Sequence, residues 1–149
     1  MARLLSGWFP PIRRYLAVSA LGNLGWEFAH MPLYTLWRTA SGKEVAWVAL
    51  HCTAGDVLIA GAALAGSLLL FGTEDWPRSR SRRVAVATIA AGLGTTILVE
   101  RAATAWGLWT YSASMPVRPG LGVGLTPVAQ WVTVPWLAIW WAHPLKQRT

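Results

Sequence analysis

A carboxylate and an imidazole one helical turn apart stand inside a long apolar run: Glu27 and His30, within GNLGWEFAHMPLY from Gly22 to Tyr34. Asn23, Glu27 and His30 follow i, i+4, i+7 spacing, so on a helix they form one polar stripe, which Tyr34 extends. Such a pair can grip a metal jointly or pass a proton. The next apolar run brings His51 and Asp56 in HCTAGD, and the third carries Glu100 and Arg101. The fourth carries Thr126, Gln130 and Thr133, again at i, i+4, i+7. His51 and Asp56 are about 140° apart around a helix and do not share a narrow face.

A carboxylate in hydrocarbon costs at least roughly 2.5 kcal/mol, so each of these acids needs a metal, a countercharge or a proton. Three arrangements meet that need. In the first, Glu27 and His30 form an E-x-x-H pair and, with His51 and Asp56, hold a divalent metal such as zinc, iron or manganese. No second E-x-x-H follows, so the di-iron carboxylate pattern is not met. In the second, Arg101 neutralises one carboxylate and another serves as general acid or base beside a histidine. In the third, the polar groups only hold helices in register. Glu27, His30, His51, Asp56 and Glu100 are the candidate catalytic residues of the first two, with Asn23, Arg101 and Gln130 in support.

The elements that carry these residues follow from composition. The chain has 149 residues, 54% hydrophobic and only 13% charged, where a soluble domain has about 25% charged residues. Four apolar segments, residues 15–37, 45–72, 84–109 and 122–142, are each near or above the roughly 20 residues needed to cross about 30 Å of hydrocarbon. The expected fold is an all-α, antiparallel bundle of four transmembrane helices in a single domain covering 1–149, since backbone polar groups in lipid must be satisfied within helices or a closed barrel. A Gly/Pro-rich loop, residues 110–124, should cap the bundle between spans three and four. Its glycines match no dinucleotide fingerprint. No internal repeat is evident.

Within the spans, Gly22 and Gly25 should allow close helix approach and Pro32 should kink the first helix just past His30. Gly61, Ala62, Ala65 and Gly66 form a small-residue surface on the second. Tyr34, Tyr111 and most tryptophans, among them Trp131, Trp136, Trp140 and Trp141, read as an interfacial belt, with His143 at the interface. Trp26 is a candidate cavity wall. Cys52 stands alone, which excludes an intrachain disulfide. The start, with Pro10-Pro11, reads as a surface lead-in rather than a cleavable signal.

Charge placement sets topology. Arg3, Arg13 and Arg14, then Arg78, Arg80, Arg82 and Arg83, then Lys146 and Arg148 fall on one side of a four-span chain, against Arg38, Lys43 and Arg118 on the other. The positive-inside rule puts both termini in the cytoplasm, as in a bacterial inner membrane. The same placement argues against nucleic acid and for anionic lipid head groups as partners. Oligomerisation is compatible with the pattern.

Depth gives the last expectation. At about 1.5 Å per residue, His30 and His51 both lie roughly 10 Å below the non-cytoplasmic surface, and Glu27 and Asp56 roughly 15 to 17 Å below it. The ionisable groups therefore gather in one half of the bilayer, implying a polar cavity there roofed by the 110–124 loop. In architecture this is similar to small four-span enzymes that act on lipids or isoprenoids. The functional expectation is a membrane-embedded enzyme on a lipid-like substrate; the alternatives are a proton- or cation-linked transport protein and a structural subunit.

Overall fold

The computed structural model describes residues 2–143, with side chains from Gly7 onward. Lys146 and Arg148, and the side chain of Arg3, lie outside this description. The described chain is mostly helical: α1 (Ala2–His30), a 3-10 turn (Met31–Leu33), α2 (Leu36–Thr39), α3 (Gly42–Phe71), α4 (Ser81–Ala105) and α5 (Leu125–Ala142). α1 packs against α3 and α5, and α4 packs against the same two, so the four long helices close around one interior. Among the described residues, α3 and α4 are long and apolar enough to cross a membrane.

Helix boundaries follow local chemistry. Ser41 and Glu44 form a capping box at the start of α3: Glu44 N donates to Ser41 Oγ at 3.3 Å and Ser41 N donates to Glu44 Oε2 at 2.8 Å. Pro32 ends α1 instead of kinking it, because the helix passes into a 3-10 turn with the proline at its start. Pro10 and Pro11 lie inside α1, so the expected surface lead-in is continuous with the first long helix. Trp8 Nε1 anchors that end of the helix to Thr73 O at 2.9 Å.

The interior is divided by residue size and polarity. Toward the chain connection at residues 72–80, Tyr15, Leu64, Trp76, Val84 and Trp131 form a buried core. Gly92 makes that core possible: a Cβ there would lie 2.1 Å from Trp131 Cζ3. Trp131 is 2% exposed, not in an interfacial belt, while Trp136, Trp140 and Trp141 are exposed. Gly22 has a similar but looser role against Val134, whereas a Cβ at Gly25 or Gly66 would meet nothing within 4 Å among the described residues. His143 is also engaged internally, with Nε2 3.0 Å from Ser81 Oγ and Nδ1 2.9 Å from Ile139 O.

The bundle buries several polar side chains and turns many large apolar ones outward. Ser19, Asn23, Glu27, His30, Thr88 and Gln130 are buried, while Leu58, Leu69, Leu98, Trp47 and Trp106 are among the large apolar side chains turned outward. The 110–124 segment is ordered by a short antiparallel pairing of Val117–Arg118 with Val123–Gly124. Gly120 and Gly122 supply the positive φ that this turn requires. A bridge between Tyr34 and Tyr111, flanked by Thr35 N to Thr110 O and Ser112 N to Leu33 O, stitches the segment to the end of α1.

Candidate functional site

Every third or fourth residue along this part of α1 faces inward, and the helix delivers Asn23, Glu27 and His30 to the interior in succession. α5 meets this stripe with Gln130. Its Nε2 lies 3.1 Å from Asn23 Oδ1, 3.2 Å from Glu27 Oε1 and 3.0 Å from Asp56 Oδ2. The amide has two hydrogens for three acceptors, and it holds the Glu27 and Asp56 carboxyl groups as near neighbours. The other oxygen of Glu27, Oε2, is 3.2 Å from His30 Nε2. Three helices thus contribute to one connected set: Asn23, Glu27 and His30 from α1, Asp56 from α3 and Gln130 from α5.

Glu100 of α4 forms a second set. Its Oε1 accepts from Tyr34 at 3.4 Å, and its Oε2 accepts from Trp109 Nε1 at 3.3 Å and from Tyr111. Tyr111 also receives the Gly124 amide at 3.1 Å, so the same phenol ties the carboxylate to the loop. Burial, and next the hydrogen bond it donates to Glu100, push the Tyr111 phenol above its usual value of 10.0. The His30 and Tyr34 rings meet edge-on at 5.3 Å between centroids, which places the two sets side by side.

Both sets border one cavity of about 600 Å³, inside the roughly 300–1,000 Å³ range of small-molecule sites. Its walls are mainly apolar, including Ile59, Leu98, Val99, Trp106 and Trp131, and its polar positions include Glu27, His30, Asp56, Glu100 and Gln130. Leu98 and Trp106 are 70% and 76% exposed, so the cavity reaches the outer apolar surface of the helices. Neither Trp26 nor any residue of 110–124 lines it, so the expected roof and the expected tryptophan wall are not realised. The loop acts one step away, through Tyr111 on Glu100.

The metal arrangement does not fit. Among the described residues, no three His, Cys, Asp or Glu side chains are placed to hold one ion. His51, expected as a ligand beside Glu27, His30 and Asp56, is exposed at the cavity edge and packs against Trp47 with ring centroids 6.4 Å apart. The reason is the 140° between His51 and Asp56 on α3: turning Asp56 inward turns His51 away. Arg101 is likewise exposed and forms no ion pair among the described residues, since it points about 100° from Glu100. Thr133, expected in an inward stripe on α5, is exposed because Gln130, Trp131 and Val134 occupy that helix's buried face.

Tyr34, Tyr111 and Trp109 are site components that residue type alone assigns elsewhere. Tyr34 carries one legible signal, its place four residues after His30. The chain matches no protein-family model, no curated protein and no solved structure.

Proposed function

We propose that this chain is a four-span, antiparallel helical membrane protein with both termini in the cytoplasm of a bacterial inner membrane, and that it is an enzyme performing acid-base chemistry on a lipid-like or isoprenoid substrate. The exposed apolar side chains support the membrane reading: a broad apolar exterior over buried polar groups suits a hydrocarbon solvent. One observation carries the catalytic reading. Two carboxyl groups share one amide nitrogen at the edge of an apolar cavity, with no Lys or Arg among the described residues that line it.

Two like charges at such range in a dry site cannot both persist, so Glu27 and Asp56 hold a proton between them. That proton is the reagent. Glu27 or Asp56 delivers it to substrate, the resulting carboxylate recovers one, and His30 on Glu27 relays it. Glu100, accepting from Tyr34, Trp109 and Tyr111, is fixed in place at the border of the same cavity.

Deuterium is the direct test. The purified protein in nanodiscs, incubated in D2O with a neutral membrane-lipid extract, should place deuterium on carbon in at least one component by mass spectrometry. Glu27→Gln and Asp56→Asn should each abolish the label, while Arg101→Ala should retain it. No label above the protein-free control would overturn the reading. For topology, cysteines introduced in 110–124 should react only with reagent on the non-cytoplasmic side.

A proton relay across the membrane is the second reading, favoured by Ser19 and Thr88. Both residues are fully buried, and the Thr88 hydroxyl has no hydrogen-bond partner among the described residues. Ser19 lies one turn from Asn23 on α1, continuing that helix's polar line beyond the acids. Proton flux into vesicles that Glu27→Gln abolishes would favour this reading over catalysis.

A further inference from the structure

The three acids at the cavity differ in how far a ligand can reach them. Glu27 and Glu100 are buried, whereas Asp56 is only half-buried and borders the open space. Gln130 occupies Oδ2 of Asp56, and the residue keeps accessible surface beside it. Thr96 of α4 borders the same space. It is 7% exposed, its hydroxyl has no hydrogen-bond partner among the described residues, and, unlike the Thr88 hydroxyl, that oxygen is not sealed from solvent. A polar group left open on an otherwise buried cavity wall is a position for a ligand to satisfy.

Electrostatics sets the sign of that ligand. Three carboxyl groups border the cavity; Glu27 and Asp56 share one proton, and Glu100 accepts on both oxygens as an ionised carboxylate does. Two negative charges remain, and His30 can offset one of them. No Lys or Arg among the described residues lines the cavity, so the rest of the balance falls to what binds there. A phosphate head would add to the imbalance, and an alcohol would leave it as it is. A quaternary ammonium would correct it but has no N–H for Asp56 or Thr96. A primary ammonium supplies both the charge and three N–H donors. The apolar wall then takes its hydrocarbon chain, which leaves through the exposed side at Leu98 and Trp106.

We propose that the cavity binds a long-chain primary amine as its ammonium ion, with the head donating to Asp56 and Thr96 and the hydrocarbon chain along Ile59 and Val99. The proposal rests on the lipid-like substrate reading above and names the head group. It makes Asp56 the residue that selects a cation and Thr96 the one that selects an N–H.

The test is competition against tritiated dodecylamine in phosphatidylcholine nanodiscs at neutral pH, scored as mole fraction in the bilayer. Competitors share its chain: unlabelled dodecylamine, dodecanol, the dodecyltrimethylammonium ion and dodecyl phosphate. Dodecylamine should compete at least about tenfold better than each of the others, the factor that one charge-assisted hydrogen bond contributes. Asp56→Asn, which keeps the shape of the side chain, should bring the amine level with dodecanol. Thr96→Val should narrow the gap between the amine and the trimethylammonium ion without changing the latter. Gly55 also lines the cavity, and a Cβ there would meet nothing within 4 Å. Gly55→Leu should therefore weaken every competitor together, and it reports on the cavity even if Asp56→Asn does not fold. Equal competition by dodecanol or by the trimethylammonium ion in the wild type would overturn the proposal, as would dodecyl phosphate as the best competitor. So would an amine preference that survives Asp56→Asn, an unchanged gap in Thr96→Val, or Gly55→Leu without effect. Deuterium transfer is read separately: its absence with the amine preference intact removes catalysis and leaves the binding site, and the opposite pattern removes this ligand class alone.

Discussion

Around Gly92, the interior is filled by volume; around Gln130, the residue that precedes Trp131 on α5, it is held by hydrogen bonds. In the first region a missing side chain on α4 admits the Trp131 ring, and Tyr15, Leu64 and Trp76 complete the buried core. In the second, Asn23, Glu27 and Asp56 converge on a single amide and the space beside them stays open as a cavity. The contrast teaches how a short bundle can keep a cavity open beside a packed core. Packed volume fixes the helix positions at one level, so directional bonds can position reactive groups at the next without filling the space they serve.

The packed region should be the less forgiving. Gly92→Val places branched carbon atoms where the Trp131 ring lies. Overpacking of this kind costs about 1–3 kcal/mol and more when the neighbour cannot move. Gly25→Val is the matched control, because a Cβ added at Gly25 would meet nothing within 4 Å. Thermal unfolding in detergent should show a large loss for Gly92→Val and little for Gly25→Val. Similar melting temperatures would mean that Trp131 has another place to go.

A smaller loss is expected at the hydrogen-bonded level. Gln130→Leu keeps much of the volume but removes the donor shared by Asn23, Glu27 and Asp56, at about 1–3 kcal/mol for groups left buried and unpaired. Arg101→Ala should be neutral, because Arg101 is exposed and makes no ion pair among the described residues. Unfolding of the pair in the same detergent separates the acid cluster from the charge beside it. If Arg101→Ala were the more damaging, a countercharge rather than the amide would be holding the carboxyl groups.

Much of this contrast is legible in the sequence where it lies along one helix, and hidden where it lies between elements. The i, i+4, i+7 stripe of Asn23, Glu27 and His30 is buried as its spacing predicts, because a helix packed on one side buries every third or fourth residue. The same rule leaves the partners of the stripe undetermined: it separates His51 from Asp56 without saying which of them turns inward. Residue type alone sends Trp131 to the interface, yet the pocket that receives it is made by the absence of a side chain at Gly92, 39 positions away in sequence and visible only once the helices pair. Tyr111 is a loop residue with no periodicity to read, and its role follows from the backbone bridge to Tyr34.

That bridge suggests the mildest perturbation, which acts on the loop without touching either interior region. Tyr111→Phe keeps the ring and removes the hydroxyl that donates to Glu100 and receives the Gly124 amide. The expected cost is about 0.5–1.5 kcal/mol, appearing as faster hydrogen exchange or proteolysis in 110–124 while the helices remain protected. The phenol's value is raised in the folded protein above 10.0, so its contribution is fully present below that pH. It is lost as pH rises past that point toward the folded value, because the unfolded chain releases the proton first. Alkaline pH should therefore loosen the loop in the wild type, and this step should vanish in Tyr111→Phe, which is loosened at every pH. Loss of helix protection together with the loop would instead mean that the Tyr111 hydroxyl supports the acid-lined cavity as directly as Gln130 does.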